Sequence, residues 1–343
     1  MPQVARLSSK LALGGRKYLP IPAPAPTYTF PWGFALSNTA YVQMYADNND
    51  YLVTLDNNGY AYSVDPLQNT NSVFATGFTG GNWSGMPGFV DYSGNVYTGN
   101  NYQLFKINAA NATADKYTAS GSSTGPAAAF GSTSGPIITF GRGTSDVYSI
   151  TTSNSITRLT TNPVEGALVY NAAGGTPAMT VVDSNGNIYW VGAPAYGAIL
   201  KTIAKINSSG TTVATWTYST SYNGYTISCC DSNNNIYYTS PGSPYISRIT
   251  ADGVFNNPWV TLPSNNTGGL CVGYDGNIYA PISTTTIAQI TSTGTINSSW
   301  LTITGASLGS IPGGVNGLIA GRFNDMFAFS GAAGNKGFAK ISF

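Results

Sequence analysis

The stretch "VDSNGNIYWV", residues 182–191, decides the fold of this chain. It reads as an apolar strand end, a turn of Asp, Ser, Asn and Gly, and a second apolar strand that starts at Ile188. Asp and Asn side chains bond to their own backbone and Gly accepts a positive φ, so this stretch predicts a β-hairpin. The same hairpin recurs with a strand start at Val96, Ile236 and Ile278, in "VDYSGNVYTG" (90–99), "CDSNNNIYYT" (230–239) and "GYDGNIYAP" (273–281).

A third strand of one recurring type follows each hairpin. Seven segments share it: "AYSVD" (61–65), "LFKIN" (104–108), "VYSIT" (147–151), "IAKIN" (203–207), "ISRIT" (246–250), "IAQIT" (287–291) and "FAKIS" (338–342). Their aliphatic positions are Val64, Ile107, Ile150, Ile206, Ile249, Ile290 and Ile341. A period of about 40–50 residues is typical of propeller blades. Degenerate hairpins at 46–54, 131–139 and 321–329 complete the seven units.

A fourth apolar strand follows the third, most clearly at 211–218, 257–262 and 298–303. Four antiparallel strands in each of seven units predict an all-β chain, a seven-bladed β-propeller of four-stranded antiparallel blades.

The last unit, from about residue 313 to 343, lacks its fourth strand. A propeller removes exposed strand edges by closing into a ring, so the missing strand must come from the other end of the chain. We predict that "TYTFPWGFAL" (27–36) closes the last blade, just before the first inner strand around 41–47. Pro31 is acceptable there because the fourth strand is the outer edge of a blade. The predicted domains are an extended N-terminal arm, 1–26, and the propeller, 27–343.

The repeat "VDSNGNIYWV … AKIN" resembles the NHL, YVTN and streptogramin-lyase group of propellers over roughly residues 37–343. The resemblance implies the seven-bladed fold. The lyases of that group use histidine and a metal, and this chain has no histidine, so their activity is not implied. The basic RNA-binding surface of some NHL domains is not implied either, because the blades are slightly acidic.

Composition argues against most enzyme classes. The chain has no histidine, which removes the commonest general base and metal ligand. No phosphate-binding G-x-x-x-x-G-K-[ST] loop occurs. We therefore predict no enzyme activity and no cofactor, with a propeller enzyme that uses Asp residues as the remaining alternative. No apolar run reaches the roughly 18 residues of a membrane span, and no nucleic-acid partner is expected.

Cysteines and tyrosines are interpreted as core residues. Cys229, Cys230 and Cys271 are odd in number and form no readable disulfide framework, so we expect free buried thiols. Cys229 and Cys271 stand seven residues before Ile236 and Ile278, which predicts equivalent inner-strand sites. The second-strand tyrosines are expected in the core rather than on a sugar-binding platform: Tyr97, Tyr189, Tyr237 and Tyr279.

The Asp-rich turns resemble the opening of a calcium loop, at 47–51, 56–60, 183–187 and 231–235. Calcium needs about 6–8 oxygen ligands, and these turns lack the downstream bidentate carboxylate of such loops. A backbone turn is the favoured interpretation, and a bound cation remains the alternative.

The first 17 residues carry Arg6, Lys10, Arg16 and Lys17 and no anion, leaving ten of the fourteen cations against thirteen anions in the remainder. The following "YLPIPAPAPTYTF" (18–30) favours extended polyproline II structure. We predict that these four cations dock the arm on a partner. A passive tail or an organelle transit peptide are the alternatives.

The favoured functional hypothesis is a structural component of a virus particle, a bacteriophage tail, nozzle or head-appendage propeller docked by its arm and contacting host glycans. Its expected partners are portal, tail or capsid-type virion proteins, in a symmetric homo-oligomeric ring or appendage, and its expected location is the virion. The surface rich in Ser, Thr, Asn and Gly, with only 8% charged residues, supports it. The alternative is a secreted, extracellular glycan-binding adhesin, favoured by five N-x-[ST] sequons at Asn82, Asn111, Asn207, Asn265 and Asn297.

Overall fold

The computed structural model describes strands along the chain from Thr27 onward and some of the turns of its C-terminal half. The residues described are 25–32, 43–46, 52–55, 60–64, 71–76, 89–90, 96–100, 103–107, 114–116, 137–140, 147–150, 155–159, 165–171, 176–183, 185–193, 200–207, 209–219, 227–239, 242–266, 269–308, 317–320, 325–330 and 337–343. Within these ranges every regular element is a β-strand, and none forms a helix that could cross a membrane.

The strands of the first four sheets follow one another along the chain, each sheet running from its inner to its outer strand. Strand β1 (Thr27–Trp32) precedes them. Blade 1 contains β2 (Gln43–Ala46), β3 (Leu52–Leu55), β4 (Tyr60–Val64) and β5 (Asn71–Thr76). Blade 2 contains β6 (Phe89–Val90), β7 (Val96–Asn100), β8 (Gln103–Ile107) and β9 (Ala114–Lys116). Blade 3 contains β10 (Ile137–Phe140), β11 (Val147–Ile150), β12 (Ser155–Leu159) and β13 (Glu165–Asn171). Blade 4 contains β14 (Thr176–Val182), β15 (Ile188–Ala193), β16 (Leu200–Ile206) and β17 (Thr212–Ser219).

The last three sheets repeat the same order. Blade 5 contains β18 (Ile227–Cys230), β19 (Ile236–Thr239), β20 (Tyr245–Ile249) and β21 (Phe255–Thr261). Blade 6 contains β22 (Cys271–Val272), β23 (Ile278–Pro281), β24 (Thr286–Ile290) and β25 (Ile296–Thr302). Blade 7 contains β26 (Leu318–Ala320), β27 (Asp325–Ser330) and β28 (Gly337–Ser342). All pairings within the sheets are antiparallel.

The inner strands contact one another in a closed cycle. Each inner strand packs against the inner strand of the next blade, and β26 of blade 7 packs against β2 of blade 1. The described residues therefore form a ring of seven four-stranded sheets, which is a β-propeller.

Blade 7 is completed by β1, as the sequence predicts. Strand β1 pairs antiparallel with β28, with Thr27 opposite Ser342 and Thr29 opposite Lys340. Thr304 of blade 6 also donates its backbone N–H to the Tyr28 hydroxyl at 3.1 Å. The strand ends at Trp32, and the predicted residues 33–36 lie outside the described part of the chain.

The structure corrects the assignment of one unit. Residues 147–151, predicted as a third strand, contain β11, which is the second strand of blade 3. The third strand is β12, and Val147 lies opposite Leu159 just as Ile236 lies opposite Ile249 in blade 5. The hairpin predicted at 131–139 is also wrong, because Ile137–Phe140 is the inner strand. Both central strands of a blade read as apolar runs, so "VYSI" fits either position.

The core lies between neighbouring blades. The second-strand residues Tyr189, Tyr237 and Tyr279 are buried, which confirms their predicted core role. The Tyr97 side chain lies outside the described atoms. Cys229 and Cys271 occupy equivalent inner-strand sites, opposite Tyr237 and Tyr279, as predicted. Cys271 is buried, whereas Cys229 and its neighbour Cys230 are half-buried, so the expectation of full burial is wrong for those two.

Candidate functional site

The turn face of the ring is the surface formed by the turns between first and second strands and between third and fourth strands. These turns share one end of each sheet because successive antiparallel strands reverse direction. The described turns of this face occupy 183–187, 207–211, 231–235, 250–254, 273–277 and 291–295.

The Asp at the start of the hairpin turn organises it. In blade 4 the Asp183 Oδ1 atom accepts the backbone N–H groups of Asn185 and Asn187, both at 2.9 Å. Its Oδ2 atom accepts from the Asn187 side-chain amide at 2.9 Å. Asp183 is only 1% exposed, and these donors satisfy a carboxylate that burial would otherwise penalise.

Blade 5 repeats this turn, and its Asp is hydrogen-bonded to the second-strand tyrosine. Asp231 accepts from the backbones of Asn233 and Asn235 at 2.9 and 2.8 Å. The Tyr237 hydroxyl also donates to Asp231 Oδ2 at 3.0 Å. The turn is therefore tied to the core strand that follows it.

Blade 6 reaches the same result with different residues. Gly273 stands where the other blades have Asp, and a Cβ atom there would lie 2.6 Å from the Tyr279 ring. Asp275, two residues later, takes over as acceptor for the Asn277 backbone at 3.1 Å and the Tyr279 hydroxyl at 2.7 Å. The bond between carboxylate and tyrosine is kept although the carboxylate has moved along the turn.

These contacts favour the turn interpretation of the Asp residues over a cation site. The carboxylate oxygens of Asp183, Asp231 and Asp275 already face N–H and O–H donors. No group of three or more Cys, Asp or Glu side chains converges among the described residues. The turns at 47–51 and 56–60 lie outside those residues.

A polar side chain of the third strand covers the second-strand tyrosine or its tryptophan neighbour. The Lys205 ammonium lies 5.3 Å from the centre of the Tyr189 ring. In blade 5 the Arg248 guanidinium lies 4.8 Å from the Trp259 ring, and in blade 6 Gln289 donates to the Tyr279 hydroxyl at 3.0 Å. The two cations and the Gln289 amide are therefore engaged in contacts with aromatic residues of their own blades.

The opposite end of the ring, the loop face, is held by short backbone contacts. Asn266 is completely buried, and its side chain both accepts from the Gly269 N–H and donates to the Gly269 carbonyl, each at 2.8 Å. Its backbone N–H donates to the Ser243 carbonyl at 3.0 Å. The connection from blade 5 to blade 6 is thereby fastened to a hairpin loop of blade 5.

Reactive groups are held in their neutral forms. Burial, with a smaller contribution from Asp275, raises the pKa of the Cys271 thiol well above its usual range. Burial likewise raises the pKa of Tyr189, Tyr237, Tyr238 and Tyr279. None of these groups is primed to act as a nucleophile or base at neutral pH.

The predicted docking residues Arg6, Lys10, Arg16 and Lys17 all lie outside the described residues. The structure does locate the point where their segment joins the ring, since β1 is the outermost strand of blade 7. Sequence reasoning did not single out Tyr274, which is 71% exposed at the tip of the blade 6 turn. The sequence signal that could have identified it is an aromatic residue at the second position of the recurring hairpin turn, where blades 4 and 5 have Ser184 and Ser232.

Comparison with known proteins supports the fold and no narrower grouping. No protein-family model matches the chain, and no curated protein matches its sequence. Among solved structures, streptogramin B lyase superposes with a TM-score of 0.66 at 15% identity, over 92% of this chain and 97% of that one.

Other solved structures share the architecture. A catalytically inactive histidine-to-alanine variant of virginiamycin B lyase from Staphylococcus aureus, solved with quinupristin, gives a TM-score of 0.65 at 14% identity, over 93% and 99% of the chains. YCF48 bound to D1 peptide gives 0.62 at 11% identity, over 91% and 95%. The β-propeller domain of Cps50 (Swd1) from Myceliophteria thermophila gives 0.61 at 8% identity, over 90% and 98%. Identities this low establish the β-propeller fold alone.

Proposed function

We propose that the chain is a structural, non-catalytic component of a virus particle, a bacteriophage tail, nozzle or head-appendage propeller that docks through residues 1–26. The observation that carries the proposal is the position of β1. It is the outer strand of blade 7, so the preceding segment joins the ring at its rim rather than at its axis. An extended chain of that length reaches up to about 80 Å, which is enough to cross onto a neighbouring subunit.

The chemistry of the chain supports a platform rather than a catalyst. The sequence contains no histidine, and the carboxylates of Asp183 and Asp231 are occupied by donors of their own turns. One of the superposed lyases is described as inactive when a histidine is replaced by alanine. Cys229, Cys230 and Cys271 form no disulfide among the described residues, which suits assembly in the reducing cytoplasm of a host.

The proposed partners are neighbouring virion proteins of the portal, tail or capsid type, around a symmetric homo-oligomeric ring or appendage. The structure of YCF48 bound to D1 peptide is a precedent for peptide docking on a similar fold. The cations Arg6, Lys10, Arg16 and Lys17 are the proposed contacts, and the ring is the rigid body that the arm secures.

The test uses purified particles of the virus that encodes the chain. Quantitative mass spectrometry should find the protein at a fixed number of copies per particle. Deleting residues 1–26, or replacing the four arm cations by alanine, should abolish incorporation while the purified variant unfolds at an unchanged temperature. Recovery of the protein only as a secreted soluble product, or normal incorporation of the deleted form, would overturn the proposal.

A glycan-binding adhesin is the second candidate, and Tyr274 is the observation that favours it. Its ring is exposed on the turn face, and Ser292 and Thr293 in the other turn of the same blade are exposed as well. Exposed aromatic rings bind sugars by stacking on their apolar faces. Tyr274→Ala should reduce retention on immobilised host glycans at least fivefold. The control is Tyr245→Ala, which removes an exposed tyrosine on the loop face of blade 5 and should not change retention. Equal retention of both variants would rule out this role for Tyr274.

A further inference from the structure

The outer strands of the seven blades differ in how they are protected from edge-to-edge pairing. An outermost strand presents a row of backbone N–H and C=O groups that no neighbour in its own sheet engages. Native proteins block such edges with proline, charge, short length or a β-bulge. Each of these devices can be identified from the described strands and their register.

Six of the seven outer strands carry at least one device within the strand itself. Strand β21 contains Pro258 and β1 contains Pro31. Strand β9 has only three residues and includes Asp115 and Lys116. Strand β13 begins with Glu165 and is interrupted by two register shifts. Strands β5 and β25 each have a register shift inside their pairing.

Strand β17 has no proline and no charge, and its one register shift lies at the last pair rather than inside the strand. Residues 209–219 contain no proline and no charged side chain. With eight residues, β17 is the longest strand of the described chain. Its pairing is regular over six successive pairs, from Leu200 opposite Ser219 to Lys205 opposite Ala214, and the single shift falls at the far end. The edge of blade 4 is therefore long, straight and uncharged.

The side chains of β17 alternate between an anchored row and an open row. On one side Trp216 donates its indole N–H to the Gly253 carbonyl of blade 5 at 3.2 Å, and the Tyr218 ring stacks on Tyr238. On the other side Val213, Thr215 and Thr217 are exposed, Val213 by 52%. The anchored row holds the strand in place, so a pairing partner would meet a preorganised edge.

We infer that the β17 edge is a pairing site for β17 of a second copy of this chain. Two copies related by a two-fold axis would join antiparallel and extend blade 4 into an eight-stranded sheet across the interface. The strand is compatible with itself because it places no like charges opposite each other, and Thr and Val cross-strand pairs are favourable. A charged foreign segment would find no ion-pair partner on residues 209–219. The inference does not depend on any role in a virus particle.

Sedimentation of the full-length chain tests the inference between about 1 and 100 μM. The unmodified chain should show a reversible monomer–dimer equilibrium. The double variant Thr215→Lys/Thr217→Lys puts four lysines at the contact and should weaken dimerisation at least about tenfold. The matched control Ser298→Lys/Ser299→Lys adds the same charge at exposed sites of β25 and should dimerise like the unmodified chain.

Two measurements keep the outcome interpretable. Circular dichroism and the unfolding temperature establish that each variant is folded, which the exposure of Thr215 and Thr217 leads us to expect. Hydrogen exchange should show amides of 214–219 that become protected as concentration rises. A monomer throughout this range, with the edge free or reserved for a foreign strand, would overturn the inference. So would a dimer that the lysines at 215 and 217 leave intact.

Discussion

Two adjacent tyrosines in β19 differ in whether their buried hydroxyl makes a hydrogen bond. Tyr237 and Tyr238 are both buried and belong to different core clusters, on opposite faces of the strand. The Tyr237 hydroxyl donates to Asp231, while the buried Tyr238 hydroxyl has no hydrogen-bond partner. An unpartnered buried polar atom costs stability, whereas a bond to a carboxylate adds to it.

The first prediction uses this pair. Tyr237→Phe should lower the free energy of unfolding by about 1–2 kcal/mol, because Asp231 loses a buried donor. Tyr238→Phe removes a hydroxyl that bonds to nothing and should leave stability unchanged or slightly raised. Urea unfolding of the two variants beside the unmodified chain measures both values. A loss for Tyr238→Phe as large as that for Tyr237→Phe would contradict the hydrogen-bond account.

The second prediction concerns alkaline pH. Burial raises the pKa of Tyr189, Tyr237, Tyr238 and Tyr279 in the folded ring. Above pH about 10 the unfolded chain loses these protons while the folded chain retains them, so the unfolded state binds fewer protons and stability falls as pH rises. Each such tyrosine contributes a slope of up to about 1.4 kcal/mol per pH unit.

Urea unfolding at pH 9, 10 and 11 checks this slope. The unmodified chain should be stable below the ordinary tyrosine pKa and lose stability progressively above it. Tyr238→Phe serves as the control, since its slope should be shallower by one tyrosine. Stability that is flat between pH 9 and 11 would show that the buried hydroxyls ionise as readily as free ones.

At the scale of single elements, β1 is the strand on which ring closure depends. Its loss would expose the edge of β28, including the backbone opposite Thr29. The Lys340 ammonium, which pairs with Asp325 at 3.0 Å, and the Ser342 hydroxyl, which donates to the same carboxylate, lie on that strand. The same cluster holds β28 to β27 and remains after β1 is removed.

The third prediction compares two deletions. Removing residues 1–24 should leave the unfolding temperature unchanged, because they precede the closing strand. Removing residues 1–32 should lower it by several degrees and promote association through the exposed β28 edge. Differential scanning calorimetry and light scattering measure the two effects. Identical unfolding of the two truncated chains would mean that β1 does not contribute to closure.

Blade 3 shows where sequence patterns stop being decisive for elements. The closing strand could be predicted because one unit lacked a fourth strand, and second-strand starts at Val96, Ile188, Ile236 and Ile278 were found at their exact turns. In blade 3 the turn lacks the usual Asn before its apolar strand, and Val147–Ile150 matched the third-strand pattern. Second and third strands are both central and buried on two faces, so their residues are alike and only pairing distinguishes them.

At the scale of the whole molecule, the two ends of the propeller lie close together, so the chain could begin at another blade without changing the ring. Thr27 lies opposite Ser342, so the two ends of the propeller are neighbours at the turn face. In blades 5 and 6 the third and fourth strands are joined at the turn face by five-residue turns, such as 250–254. A similar turn between Phe343 and Thr27 would make blade 7 a continuous hairpin.

The fourth prediction is a circular permutant built on that geometry. It joins 343 to 27 through an Ala-Asp-Gly turn and opens the chain between β17 and β18. The permutant should give the same circular dichroism spectrum and refold faster, because the β1–β28 pairing becomes local. Stopped-flow refolding measures the rate. A permutant that fails to unfold cooperatively would show that the ring needs its closing strand to come from the opposite end of the chain.

Function was less predictable than fold, for a physical reason. Core positions are constrained by burial and by the two-residue period of a strand, so Ile188 and Tyr189 could be assigned to the core from the sequence. Contact surfaces have no such period, so the spacing of Arg6, Lys10, Arg16 and Lys17 in the sequence predicts no particular contact. The unprotected edge of β17 is an intermediate case, because the absence of proline and charge from 209–219 is visible in the sequence once the strand is known to be outermost.

The pairing of β1 with β28 has a consequence for synthesis. On the ribosome β1 emerges first and β28 last, so the nascent chain carries an unpaired closing strand while about 300 residues are added, for roughly 15–60 seconds. Six blades can assemble during translation, but the seventh waits until the codons of β28 have been translated. A polypeptide terminated before β28 would leave the pairing edge of β1 exposed, and chaperones and proteases would bind it. Ring closure therefore distinguishes chains that contain β28 from those that do not.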